Sequence, residues 1–179
     1  MIGNLKTIVQ SRWFYGLFFT YYLFNFTGCS GCPYSFSGAS VPPHLKTIAI
    51  PFTEDRSGSS EGGLRELFNT QLTQKFINDN NLAISDRTNA DAILETAIVS
   101  FSDLPAVVTG GETLASRKVS ITVQVVYRDL VKKKVIFERQ FSNYGDYASG
   151  GGLAERTKGI ETAVDRITDD ILLETVSGW

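Results

Sequence analysis

The chain has 179 residues, a length suited to one domain, and its 42% hydrophobic and 20% charged content excludes both a disordered and a wholly membrane-embedded protein. A net charge of −2 argues against nucleic acid as a partner, because phosphate binding needs a basic surface. Two Cys are too few for a disulfide scaffold, and one His leaves little room for metal or acid–base chemistry.

The N-terminus departs from these averages. Residues 1–28 hold nine of the 21 aromatics, two of the 17 basic residues and none of the 19 acidic ones. Lys6 and Arg12 precede a 14-residue apolar run from Trp13 to Phe26. That is short of the ~20 residues a spanning helix needs and within the range of a signal-peptide core. Thr27-Gly28-Cys29-Ser30-Gly31-Cys32 follows, and small residues before a Cys look like a bacterial lipobox. Cys29, directly after the apolar run, is the favoured lipid-bearing residue, and Cys32 is the alternative. The blander reading is an uncleaved anchor with two ordinary Cys. The expected organisation is a lipoprotein signal peptide over 1–28, a lipidated tether over 29–43 and an α/β domain over 44–179.

The tether is small and polar, and Pro42-Pro43 blocks helix. Lys46–Phe52 alternates, with Ile48, Ile50 and Phe52 on one face of an expected strand that Pro51 marks as an edge or an end. After a Ser/Gly loop, Leu64, Leu67, Phe68, Leu72 and Phe76, with Ile77 alongside, predict an amphipathic helix over Glu61–Asp79. Asn78-Asp79-Asn80-Asn81 stops it. Leu82–Ser85 suggests a short strand. Asp91–Ser102 suggests a central one, with Ile93, Ala97, Val99 and Phe101 opposite Leu94 and Ile98. Leu104–Thr113 is a connector.

Arg117–Tyr127 alternates most cleanly: Val119, Ile121, Val123, Val125 and Tyr127 face one way, Ser120, Thr122 and Gln124 the other. A turn over Asp129–Lys133 makes a hairpin with Lys134–Tyr144, whose Val135, Phe137 and Phe141 are expected inward. Beyond Ser149-Gly150-Gly151-Gly152, the stripe Leu153, Thr157, Ile160, Val164, Ile167 and Ile171 predicts a second helix. Two one-sided helices must cover one sheet face. The expected fold is therefore an α+β two-layer sandwich, a mixed four- to five-stranded sheet with both helices on one side.

Catalytic chemistry is hard to assemble from these residues. Every Ser/His/Asp or Cys/His set needs His44, which sits beside prolines as an ordinary loop residue would. Asp169 and Asp170 point about 100° apart on a helix and do not converge. No zinc spacing exists. Ser149–Gly152 lacks the Gly-Lys-Ser/Thr of a phosphate loop. Lys132-Lys133-Lys134 suits either a phosphate-bearing lipid or the guarding of a strand edge. The expectation is a protein that is not an enzyme and needs no cofactor beyond a covalent N-terminal lipid.

Taken with the lipobox, Tyr34-Ser35-Phe36-Ser37-Gly38-Ala39-Ser40-Val41-Pro42-Pro43 leading into Leu45-Lys46-Thr47-Ile48-Ala49-Ile50 resembles the LPS-assembly lipoprotein family (LptE-like). The resemblance continues through Phe68–Leu72, Phe76-Ile77, Val119–Val123, Phe141–Tyr144 and Trp179. It implies an outer-membrane lipoprotein facing the periplasm. Such proteins plug the lumen of the β-barrel LPS translocon, help it assemble and pass lipopolysaccharide outward. Relatives use basic residues on a loop or strand end to meet lipid A phosphates, which makes Arg117 and Lys118 candidates by charge. Ser120, Thr122 and Gln124 are the candidate partner contacts. An accessory lipoprotein of another envelope machine, a secretion pore or a cell-wall synthase activator, is the alternative, since Asn89–Glu95 resembles a strand start common in those domains too.

Overall fold

The computed structural model describes residues 41–59, 61–106 and 116–177. The expected signal peptide over 1–28, Cys29 and Cys32, the Tyr34–Gly38 box, residues 107–113 of the connector and Trp179 lie outside the described residues. The elements run β1 (Thr47–Ala49), β2 (Glu54–Asp55), α1 (Leu64–Asp79), β3 (Ala83–Ile84), β4 (Ala92–Pro105), β5 (Ser116–Asp129), β6 (Lys134–Ala148) and α2 (Gly152–Ser177).

The sheet order is β3-β1-β4-β5-β6, with β2 pairing β4 off this path. β1 is parallel to β3 and β4, and β2 is parallel to β4. β4, β5 and β6 form an antiparallel meander. The result is the expected mixed sheet with α1 and α2 packed against it, an α+β two-layer architecture. Val119, Ile121, Val123, Val125 and Tyr127 of β5 are all buried in the core. Leu64, Phe68, Leu72 and Phe76 of α1 and Ile160, Val164, Ile167 and Ile171 of α2 join them. Burying one such side chain contributes roughly 2 kcal/mol, so these stripes dominate the fold.

Several elements differ from the expected ones. β1 stops at Ala49, because Pro51 has no N–H to continue the ladder. Ile50 still packs against the core, but Phe52 is 54% exposed. α1 begins at Leu64 rather than Glu61, since Gly63 takes φ 84° just before it. At the other end Asn80, at φ 56°, donates its N–H to the Phe76 carbonyl. Ile77 lies outside the buried stripe.

In β4 the ladder skips between Ile98 and Ser100, so the bulge at Val99 reverses the alternation. Phe101 therefore packs against the core with Leu94 and Ile98, not opposite them. A second skip lies between Tyr127 and Arg128. It pairs Phe137 with Tyr127 but Val135 with Arg128, which leaves Val135 exposed while Ile136 packs against the core. Leu153 is 81% exposed and Thr157 is exposed too, because the first turns of α2 lie at the end of the sheet, just past the last pair Ser116–Ala148. The inward residue there is Arg156.

Candidate functional site

Both helices lie on one side of the meander, so its other side is open. Lys118, Ser120, Thr122 and Gln124 project there at alternate positions of β5, between the buried core residues. Cross-strand neighbours complete a polar surface. Thr122 donates its hydroxyl to Ser142 at 3.0 Å, and the Gln124 amide donates to Glu138 at 2.8 Å. The Lys118 ammonium lies 4.0 Å from the centroid of the Tyr144 ring, and Arg166 reaches the same ring from α2 at 5.4 Å. Arg166 also donates to the Tyr144 carbonyl at 2.8 Å.

At the β2 side this face deepens into an open cleft of about 450 Å³ lined by Phe52, Arg56, Glu95, Gln124, Arg128 and Glu138 among others. Its arginines are paired. Glu95 holds Arg128 at 3.2 Å and Arg87 at 3.5 Å, and Arg56 donates to Glu54 at 2.9 Å. A cleft with balanced, self-satisfied charge suits a polar protein surface better than a strongly charged small ligand.

Arg117, one residue from Lys118, points to the opposite side of β5. Its Nε donates to Asp103 at 3.0 Å and to the Tyr147 hydroxyl at 2.9 Å. Arg156 from α2 donates to the same Asp103 at 2.9 Å and clamps Glu61 through both Nη atoms. Burial pushes the Asp103 carboxyl up, but hydrogen bonds from Arg156, Tyr147 and Arg117 outweigh it and hold the group below the usual carboxylate range. This cluster ties the start of α2 to the ends of β4, β5 and β6 and to the loop before α1. Asp103 accepts from all three partners, so the cluster is a structural clamp.

His44 is no bare loop residue. Its Nε2 lies 2.7 Å from Oδ2 of Asp129, which is 1% exposed, while Oδ1 of Asp129 accepts the Lys132 N–H at 2.7 Å. Burial pushes Asp129 up, and His44 and the Lys132 amide together more than reverse it, leaving the carboxyl below its ordinary value. Among the described residues no group of three His, Cys, Asp or Glu could hold a metal ion. Among them, too, no helix is long and apolar enough to cross a membrane.

Sequence periodicity places Lys118, Ser120, Thr122 and Gln124 together, as they are here. It missed the Asp103–Arg156–Glu61 cluster, whose members are far apart in the chain. It also missed Gly145 and Gly159, where β6 and α2 touch backbone to backbone. A Cβ on Gly145 would stand 1.9 Å from the Gly159 carbonyl oxygen. Gly145 directly follows the expected strand Lys134–Tyr144, so the apolar pattern gave no sign that β6 continues through it to Ala148.

Residues 45–175 match the family described as lipopolysaccharide-assembly, LptE. Among solved structures, a Xanthomonas campestris protein matches at 12% identity with a TM-score of 0.57, covering 77% of this chain and 90% of its own. A hypothetical protein from Chlamydia trachomatis matches at 10% identity and TM-score 0.54, over 73% and 95%. A minor lipoprotein from Acinetobacter baumannii matches at 15% identity and TM-score 0.51, over 76% and 94%. At these identities the likeness is one of fold. No curated protein matches by sequence.

Proposed function

The chain belongs to the lipopolysaccharide-assembly (LptE) family, and from that premise we propose that it is a non-catalytic lipoprotein of the outer membrane, facing the periplasm, that docks in the β-barrel LPS translocon. It helps that barrel assemble and assists delivery of lipopolysaccharide to the outer leaflet. Residues 1–28 are its signal peptide, Cys29 (alternatively Cys32) carries the lipid, and residues 29–43 tether the domain 44–179.

The observation that carries this reading is the asymmetry of the meander. One face is sealed by two helices; the other presents Lys118, Ser120, Thr122 and Gln124 with no element of the described chain over them. A barrel lumen is polar and wet, and a polar face of low net charge matches it. Arg117 supports the strand end beside Lys118 through Asp103.

A photocrosslinker at position 122 in the full chain, followed by purification from detergent-solubilised membranes, tests the reading. A large barrel protein crosslinked at this position is the expected result. Recovery of a secretion pore or a cell-wall synthase moves the chain to another envelope machine. Crosslinks confined to α1 and α2 overturn the assigned docking face. Thr122→Arg should leave folding intact and weaken association, because it buries an unpaired charge in the interface.

A further inference from the structure

The β5–β6 turn lies where the tether joins the domain, and the two are locked together. Asp129, the last residue of β5, accepts the Lys132 N–H and holds His44 at 2.7 Å, while the Leu130 N–H donates to the Asp91 carbonyl at 2.8 Å. The Leu45 N–H donates to the Pro42 carbonyl at 2.9 Å, which fixes the last tether residues to the same unit.

The turn itself faces outward. Residues 131–135, Val-Lys-Lys-Lys-Val, are all exposed, with Val131 at 57%. Among the described residues no ion pair engages Lys132, Lys133 or Lys134, and Asp129 is buried and turned to His44. Guarding a strand edge does not explain the cluster. An edge lysine must sit on the ladder, and only Lys134 does, opposite Asp129. Lys132 and Lys133 lie beyond the last pair.

Residues 29–43 are 15 residues and span at most roughly 50 Å when fully extended. A lipid on Cys29 therefore keeps this turn close to the leaflet that holds the anchor and makes any second contact intramolecular. Three unpaired ammonium groups flanked by two exposed valines have the chemistry for an anionic interface. We propose that the 130–134 turn, clasped to the tether by His44 and Asp129, docks on the anionic phospholipid surface of that leaflet and so orients the domain on its membrane. The proposal rests on the lipoprotein reading above.

The test uses mature protein purified from membranes and reconstituted in vesicles. Acetylation rates at Lys132, Lys133 and Lys134 are read by mass spectrometry against Lys158, near the start of α2. In mixed phosphatidylglycerol–phosphatidylcholine vesicles the three turn lysines should react several-fold more slowly than in pure phosphatidylcholine, and about 0.5 M salt should abolish the difference. Equal rates in the two vesicles overturn the proposal. The double variant Lys132→Glu, Lys133→Glu should still float with the vesicles but lose the slowing at Lys134; persistence of the slowing overturns it. Slowing seen only when a barrel protein is added assigns the turn to a protein contact, which also overturns it. Chains that float with unshielded lysines defeat this inference alone. Chains without acyl mass that fail to float defeat the anchor reading, and this inference with it.

Discussion

Ile121 and Thr122 are neighbours in the same strand, yet they belong to different chemistries. Ile121 is fully buried beneath the helices; Thr122 shares a hydrogen bond with Ser142 on the open side. The covered face is apolar, tightly packed and sealed at one end by a charge cluster. The open face is polar, with hydrogen bonds and ring contacts linking β5 to β6 across it. Because strand alternation assigns each residue to one face, stability and recognition are written on alternate positions and can change independently.

The sharpest way to break this division is at the closest contact of the covered face. Gly145→Ala would drive a methyl group into the Gly159 carbonyl, so α2 must lift from β6. A loss of about 3 kcal/mol or more is expected in urea unfolding. Gly159→Ala is the control. Its Cβ meets Tyr147 Cδ1 at 3.1 Å, so the ring need yield only a few tenths of an ångström, and helix propensity favours Ala over Gly by about 1 kcal/mol. That variant should stay within about 1 kcal/mol of the parent.

Next comes the pair itself. Ile121→Ala should cost about 2–5 kcal/mol, and Thr122→Ala no more than about 0.5 kcal/mol. Equal costs would show that something covers the open face even in the isolated protein.

Asp103→Asn should cost about 1–3 kcal/mol by leaving Arg156 and Arg117 short of a charged partner. Its pH dependence has a definite sign. The folded carboxyl lies below the ordinary carboxylate value, so its contribution is present above that value and is lost as pH falls through the lower folded value. Acid melts of the parent should therefore steepen below about pH 4, and the variant should lose part of that slope.

What the sequence discloses is what repeats locally. The strict alternation of β5 and the breakers at Asn78–Asn81 show in any short window, and the open-face residues follow from the same alternation. Bulges do not. At Val99 one extra residue moves Phe101 across the sheet, and nothing in the apolar pattern of β4 marks the slip. Nor does periodicity reveal pairing between distant groups. Arg156 stands where a helix stripe would put an ordinary polar residue, and its value comes from Asp103 and Glu61, contributed by other elements. His44 gains its partner in the same way, from the far end of β5.

The connectivity of the sheet also has a direction in time. β4, β5 and β6 are joined by successive hairpins, so their pairing closes short loops. β1, in contrast, is flanked by β3 and β4, and setting Thr47 beside Ala83 and Ile48 beside Ala92 means closing loops across the whole of α1. Loops of that length are costly to close early, so this topology predicts that the meander forms first and that β1 slots in afterwards. In stopped-flow experiments Val123→Ala should slow folding, whereas Ile48→Val should mainly speed unfolding. A chain that leaves a secretion channel N-terminus first would then meet its environment with its leading strand still unplaced, waiting for the last part of the sequence to supply the sheet.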